Sequence, residues 1–105
     1  MNHCCFTGYL VENPRTNFVG DVLLSEFVMV VYSYRKTKKT GEKNRIPTYI
    51  QCEAWHTGAE IIERNTRKGS KITIHASVKH RSKDDEELIF RVNEFDICNQ
   101  GEEDY

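Results

Sequence analysis

Residues 48–55 alternate without a break, with Ile50, Cys52 and Ala54 on one parity and Tyr49, Gln51, Glu53 and Trp55 on the other. A two-residue period is the pattern of an extended strand with one apolar and one polar face. It restricts the chain to folds in which the apolar face closes a core while the polar face stays accessible. The same period recurs along most of the sequence. Over residues 3–11, Cys4, Phe6, Gly8 and Leu10 alternate with Cys5, Thr7, Tyr9 and Val11. Over residues 22–34, Phe27, Met29 and Val31 oppose Val28, Val30, Tyr32 and Tyr34. From residue 70 onward, Ile72, Ile74, Ala76 and Val78 alternate with Thr73, His75, Ser77 and Lys79, and a final strand covers 88–98. Glu12-Asn13-Pro14, Thr40-Gly41 and a polar tip at 80–87 punctuate these runs. One segment departs from the pattern. Residues 57–67 set Ala59, Ile62 and Thr66 on one side of a short helix, which Lys68-Gly69 stops.

The predicted order is strand, strand, strand, helix, strand, strand. Five strands with one short helix between the third and fourth is the order of an OB-fold, an all-β, partly open Greek-key barrel. A chain of 105 residues is one domain and buries roughly two thirds of its unfolded surface. The barrel is assigned to residues 1–98. Residues 99–105 end in Glu102-Glu103-Asp104-Tyr105 and read as a short, frayed acidic tail.

Charge is distributed unevenly. The net charge is -1 and the isoelectric point about 6.4, yet Arg35, Lys36, Lys38, Lys39, Lys43 and Arg45 crowd into eleven residues with Glu42 as the sole acid. Tyr32 and Tyr34 precede this cluster; Tyr49 and Trp55 follow it. Cations track phosphates and flat rings stack on unpaired bases, so the pairing is the one single-stranded nucleic acid requires. The bland alternative is a solvated basic loop between two strands, which is what charge runs usually are. Tyr49 and Trp55 share a polar face with Gln51 and Glu53, which favours exposed rings over packed ones. Phe6, Phe27 and Phe90 have apolar neighbours at two-residue spacing and are assigned to the core. Phe18, in the first loop, fits either role. Lys71, Lys79, Arg81, Lys83 and Arg91 would extend the positive track. His56, beside Trp55, is read as a solvated side chain, and His75 and His80 as ordinary strand and turn residues.

Other chemistries find little support. No apolar run nears the roughly 18 residues of a membrane span, and the N-terminus lacks the basic start and apolar stretch of a signal peptide. A cytoplasmic location is therefore expected. Cys4, Cys5, Cys52 and Cys98 form no Cys-x-x-Cys pair and read as reduced thiols. Their spacing, with His75, offers no support for zinc, and no metal or cofactor is expected. Asp84-Asp85-Glu86-Glu87 raises metal-assisted phosphodiester cleavage, but consecutive side chains at a hairpin tip diverge, whereas a catalytic site needs fixed, convergent groups. The chain is read as a non-enzyme.

Several short stretches together resemble the bacterial and phage single-stranded DNA-binding protein (SSB) family over residues 1–98. Met1-Asn2 with Gly8-Tyr9-Leu10 and Asn13-Pro14 is similar to its opening strand and first turn. Phe27 and the alternation after it resemble the second strand, and Gly41-Glu42 the tip of the second hairpin. Trp55-His56-Thr57-Gly58-Ala59-Glu60 resembles the family's aromatic, spacer and Ala-Glu at the helix. Lys68-Gly69-Ser70 with Ile72 and Ile74 resembles the helix stop and fourth strand. The resemblance implies base stacking on Tyr34, Tyr49 and Trp55. It departs from the family at Ala76, where glycine is usual, and at Ser82 and Lys83, which stand where a further aromatic is expected. Family members often carry a long linker before an acidic tip that recruits partner proteins. Here Glu102, Glu103, Asp104 and Tyr105 follow the barrel directly, and their match is one of composition.

The function expected is sequence-non-specific binding and protection of single-stranded DNA in replication, recombination or repair. Phosphates would contact Arg35, Lys36, Lys38, Lys39, Lys43 and Arg45, with further contacts at Tyr32, Lys79, Arg81 and Lys83. The resemblance implies a homo-oligomer, tetramer or dimer, near the nucleoid of a bacterial or phage-infected cell. Replication or repair proteins would be met through the acidic tail. The alternative is an OB-fold replication adaptor, primosome-like, whose main partner is another protein.

Overall fold

The structure, a computed structural model, describes residues 1–98; the expected acidic tail, 99–105, lies outside the described residues. The elements are β1 (Cys4–Leu10), β2 (Arg15–Val19), β3 (Val22–Lys36), β4 (Lys43–Trp55), α1 (His56–Asn65), β5 (Lys71–His80) and β6 (Leu88–Ile97). They form one sheet in the order β1-β5-β6-β4-β3-β2, and an additional β1–β3 pairing closes five of the strands into a barrel. With its one helix between β4 and β5, this is the OB-fold. No described helix is long and apolar enough to cross a membrane.

The apolar parities point inward as the alternation requires. Phe27, Met29, Ile72, Ile74 and Ala76 are fully buried, and Ile50, Cys52 and Ala54 nearly so. Ala59 and Ile62 seat the helix on this core, while Thr66 caps it by donating its hydroxyl to the Ile62 carbonyl at 2.6 Å. Phe6 and Phe90 pack edge to face at 5.3 Å against the same cluster. Each large apolar side chain taken out of water contributes about 1.5–3 kcal/mol.

Two assignments need correction. Residues 15–19 are a strand rather than loop. β2 hairpins onto β3 from Arg15↔Glu26 to Val19↔Val22, turning at Gly20, whose φ of 64° suits glycine. Among its side chains only Thr16 is half-buried, so no apolar alternation marks it. Phe18 consequently lies on this outer hairpin with 71% of its surface exposed. The basic segment is also mostly strand: β3 runs on to Lys36 and β4 begins at Lys43, leaving residues 37–42 as the turn. Thr37 and Glu42 join across that turn through N–H to carbonyl at 2.8 Å, and Gly41 takes φ 71°. Pro47 does not end the strand, because β6 pairs with β4 only at Cys52 and Glu53, so Pro47 has a ladder partner on one side only.

Two short ladders close the barrel. β1 meets β3 at Tyr9↔Val30 and Leu10↔Met29, and β4 meets β6 in parallel at Cys52↔Phe90 and Glu53↔Arg91. Gly8 allows the first closure: a Cβ there would lie 2.1 Å from the Val30 carbonyl oxygen. At Ala76 the β5–β6 register shifts by a bulge between His75 and Ala76, and bulges supply curvature without glycine.

Candidate nucleic-acid interface

The β3–β4 ladder is the longest in the molecule and runs from Leu24↔Trp55 to Lys36↔Lys43. Directly opposed residues share a face. Tyr34 pairs with Arg45, Tyr32 with Pro47, Val30 with Tyr49 and Leu24 with Trp55. Tyr32, Tyr34, Tyr49 and Trp55 therefore stand on one face with Lys36, Lys43 and Arg45. Beyond Val31↔Thr48 the two strands pair only with each other, so this end is a free-standing arm.

Along the arm, rings and cations interleave. Lys43 Nζ lies 4.6 Å from the Tyr34 ring, and Arg45 Cζ 4.1 Å from the Tyr32 ring. Tyr34 and Tyr49 are 61% and 63% exposed, unusual for rings on a strand unless something covers them. Arg35 is exposed but belongs to the opposite parity, away from the rings. Lys38 and Lys39 sit in the turn itself. The arm thus carries its positive charge at its tip and on its ring face.

Trp55 is half-buried at the other end of the ladder. Its indole N–H donates to Glu53 Oε2 at 2.9 Å. The same oxygen accepts from Arg91 Nε at 3.0 Å and lies 3.5 Å from Lys79 Nζ. Arg91 Cζ stands 5.9 Å from the Trp55 ring. Burial pushes the Glu53 carboxyl up, but the hydrogen bonds from Trp55 and Arg91 and the charges of Lys79 and Arg91 hold it below the usual glutamate range. His56 follows Trp55 with φ 60°, left-handed backbone that non-glycine residues seldom adopt. An open cleft of about 600 Å³ lies here, lined by Val22, Trp55, His56, Arg91, Val92 and Asn93.

The expected additional contacts divide. Tyr32 joins the ring face. Lys79 is ion-paired with Glu53, and Arg81 with Glu87 at 2.7 Å and Glu26 at 3.5 Å. Lys83 and Ser82 are exposed in the β5–β6 turn. Sequence reasoning missed Tyr9. Its pairing with Val30 brings its ring to the same face, 6.5 Å from Tyr32 and 5.9 Å from Lys71 Nζ. Outward parity in the first strand signals an exposed ring, but not which strand it would lie beside.

Among the described residues, no three His, Cys, Asp or Glu side chains are placed to hold a metal ion. In the acidic run, Glu87 pairs with Arg81, and Asp85 accepts the Glu87 backbone N–H at 2.8 Å. Burial raises the Cys52 thiol to about 12, so it stays protonated.

This architecture is shared with solved structures. A deletion mutant of the single-stranded DNA binding protein from Thermus aquaticus superposes with a TM-score of 0.80 at 16% identity, covering 94% of this chain and 51% of that one. The chain thus spans about half the length of that protein. A small single-stranded DNA-binding protein from Streptomyces coelicolor gives 0.76 at 10% identity, with 91% of each chain covered. The protein priB from Ralstonia solanacearum gives 0.72 at 10% identity, covering 93% of this chain and 99% of that one. At these identities the likeness is one of fold. None of the curated proteins matches the sequence. The model of the single-strand binding protein family matches residues 1–100. With that match spanning the barrel and its ring-bearing arm, the chain belongs to the single-strand binding protein family.

Proposed function

We propose that this protein binds single-stranded DNA with little sequence preference and protects unwound DNA during replication, recombination or repair. One observation carries the reading: Tyr32, Tyr34, Tyr49 and Trp55 share a β3–β4 face with Lys36, Lys43 and Arg45. Bases stack on Tyr34, Tyr49 and Trp55, while Lys36, Lys38, Lys39, Lys43 and Arg45 neutralise phosphates. Arg35 reaches a phosphate from the arm's other side. Every base has a π-face, so stacking anchors a strand without reading it. Binding involves no catalytic step; within the acidic run Asp85 holds its own turn and Glu87 holds Arg81. Family membership supports a homo-oligomer, tetramer or dimer, in the cytoplasm. Glu102, Glu103, Asp104 and Tyr105, which lie outside the described residues, would meet replication or repair proteins.

Titration with oligo-dT, followed by Trp55 fluorescence with mass measured in solution, tests this. Quenching on binding is expected; an unquenched Trp55 at saturating oligo-dT removes the stacking. Replacing Lys36, Lys38 and Lys39 with alanine should flatten the log–log salt slope by roughly 0.7 for each phosphate no longer neutralised. An unchanged slope would show that the arm does not touch DNA. Equal weak binding to single strands, duplex and RNA would favour the protein-adaptor reading instead.

A further inference from the structure

The ring face does not carry uniform charge. At the arm, Lys36, Lys38, Lys39, Lys43 and Arg45 face a single acid, Glu42. At the Trp55 end, Lys79, Arg81 and Arg91 each have a carboxylate. Glu53 holds Lys79 and Arg91, and Glu26, directly opposite Glu53 across the β3–β4 ladder, shares Arg81 with Glu87. Three carboxylates thus offset three cations. Glu53 is the centre of this half: it is 7% exposed, and its Oε2 alone faces donors from β4, β5 and β6. One of those donors is the indole of a proposed stacking ring. Another, Arg91, lies over that ring and beside Glu53 in the parallel ladder.

We infer that Glu53 is a positioning residue of the interface: its carboxylate orients the Trp55 indole and withholds Arg91 and Lys79 from phosphate, so the Trp55 end receives bases while phosphates gather along the arm. The physical reason is competition. A phosphate approaching Arg91 meets a cation whose charge a largely buried carboxylate already offsets through Nε, and charge-assisted bonds of this kind are the strong ones. A phosphate at Lys43 or Arg45 displaces only the face of a tyrosine ring, a weaker partner. The strand would therefore lie with its bases toward the cleft beside Trp55 and its backbone drawn toward the arm. This inference rests on the single-stranded DNA reading above.

The test uses the full chain with oligo-dT across a range of salt. Glu53→Gln should steepen the slope by roughly 0.7 for each released cation, about 1.4 for both Arg91 and Lys79. Adding Arg91→Gln to that variant should take back about half of the change. Glu26→Gln removes the same charge from the same face, but Glu87 still holds Arg81, so its slope should match the wild type. In the free protein, Glu53→Ala should raise acrylamide quenching of Trp55, and Glu53→Gln, which keeps an acceptor for the indole, should restore most of the protection. A wild-type slope in Glu53→Gln overturns the inference, as does equal steepening in Glu26→Gln or unchanged Trp55 quenching in Glu53→Ala. Should Glu53→Ala fail to fold, the Glu53→Gln slope decides. If the wild type does not bind oligo-dT at all, the DNA-binding reading falls, and the free-protein quenching still decides whether Glu53 positions Trp55.

Discussion

Tyr49 and Tyr34 differ from Phe27 in what their rings touch. Phe27 is wholly buried, whereas the two tyrosines are more than half exposed. Truncating an exposed ring leaves no cavity, so Tyr49→Ala should change folding stability by no more than about 0.5 kcal/mol. The same variant should weaken oligo-dT binding by about 1–3 kcal/mol, the value of one base on one ring. A thermal melt and a fluorescence titration on one preparation check both halves. A large loss of stability with unchanged affinity would make Tyr49 a structural residue. The exposure of Tyr49 is readable from parity, which sets it opposite Ile50, Cys52 and Ala54; the same parity does not show that Trp55 is half-buried beside a buried Glu53. Parity also marks Tyr9 as outward. It does not show that Tyr9 lies 6.5 Å from Tyr32, because those rings are brought together by pairing between strands remote in sequence.

The strands themselves show where local pattern stops being informative. β3, β4 and β5 alternate because one face of each is buried. β2 does not alternate, because nearly all of it is exposed, and a strand without a buried face leaves no hydrophobic period to read. The arm is illegible in sequence for the same reason. Lys43, Asn44 and Arg45 read as loop, yet they pair with Lys36, Arg35 and Tyr34 and support the ladder through ring–cation contacts. β1 illustrates a backbone constraint. Gly8 sits where the strand crosses onto Val30, with no room for a Cβ. The nearest opposing atom, the Val30 carbonyl oxygen, is backbone, so it cannot swing aside. Gly8→Ala should therefore cost at least about 2 kcal/mol, toward the upper range of overpacking. The loss should concentrate in the β1–β3 closure, as faster amide exchange at Tyr9, Leu10 and their partners. A variant as stable as the wild type would mean that β1 can shift along β3 without loss.

For the molecule as a whole, Glu53 links β4, β5 and β6 at the seam where β4 and β6 share only two ladder pairs. Its carboxyl is held below the ordinary value of 4.5. The folded state therefore binds its proton less readily than the unfolded chain does. Its contribution is fully present above about pH 4.5 and is lost as pH falls through the lowered folded value. The charged groups facing it are Lys79 and Arg91, with Glu26 directly across the ladder. Stability measured by denaturant unfolding should fall below pH 4.5, and Glu53→Gln should flatten that acid limb. An acid limb identical in the two proteins would remove Glu53 as its source.

The barrel's element order, its inward parities and the gathering of cations between aromatic residues follow from local sequence. Each depends on periods of two residues or on neighbours a few positions apart, and such short-range patterns survive without knowledge of the fold. The length of the arm, the extra strand β2, the placement of Tyr9 and the capture of Lys79, Arg81 and Arg91 by Glu53, Glu26 and Glu87 came from tertiary structure. All of these are set by cross-strand register between segments far apart in the chain. Lys79 and Arg81 have the same charge as Lys43 and Arg45. Only the carboxylates that folding brings beside them make one end of the face neutral and leave the other strongly positive.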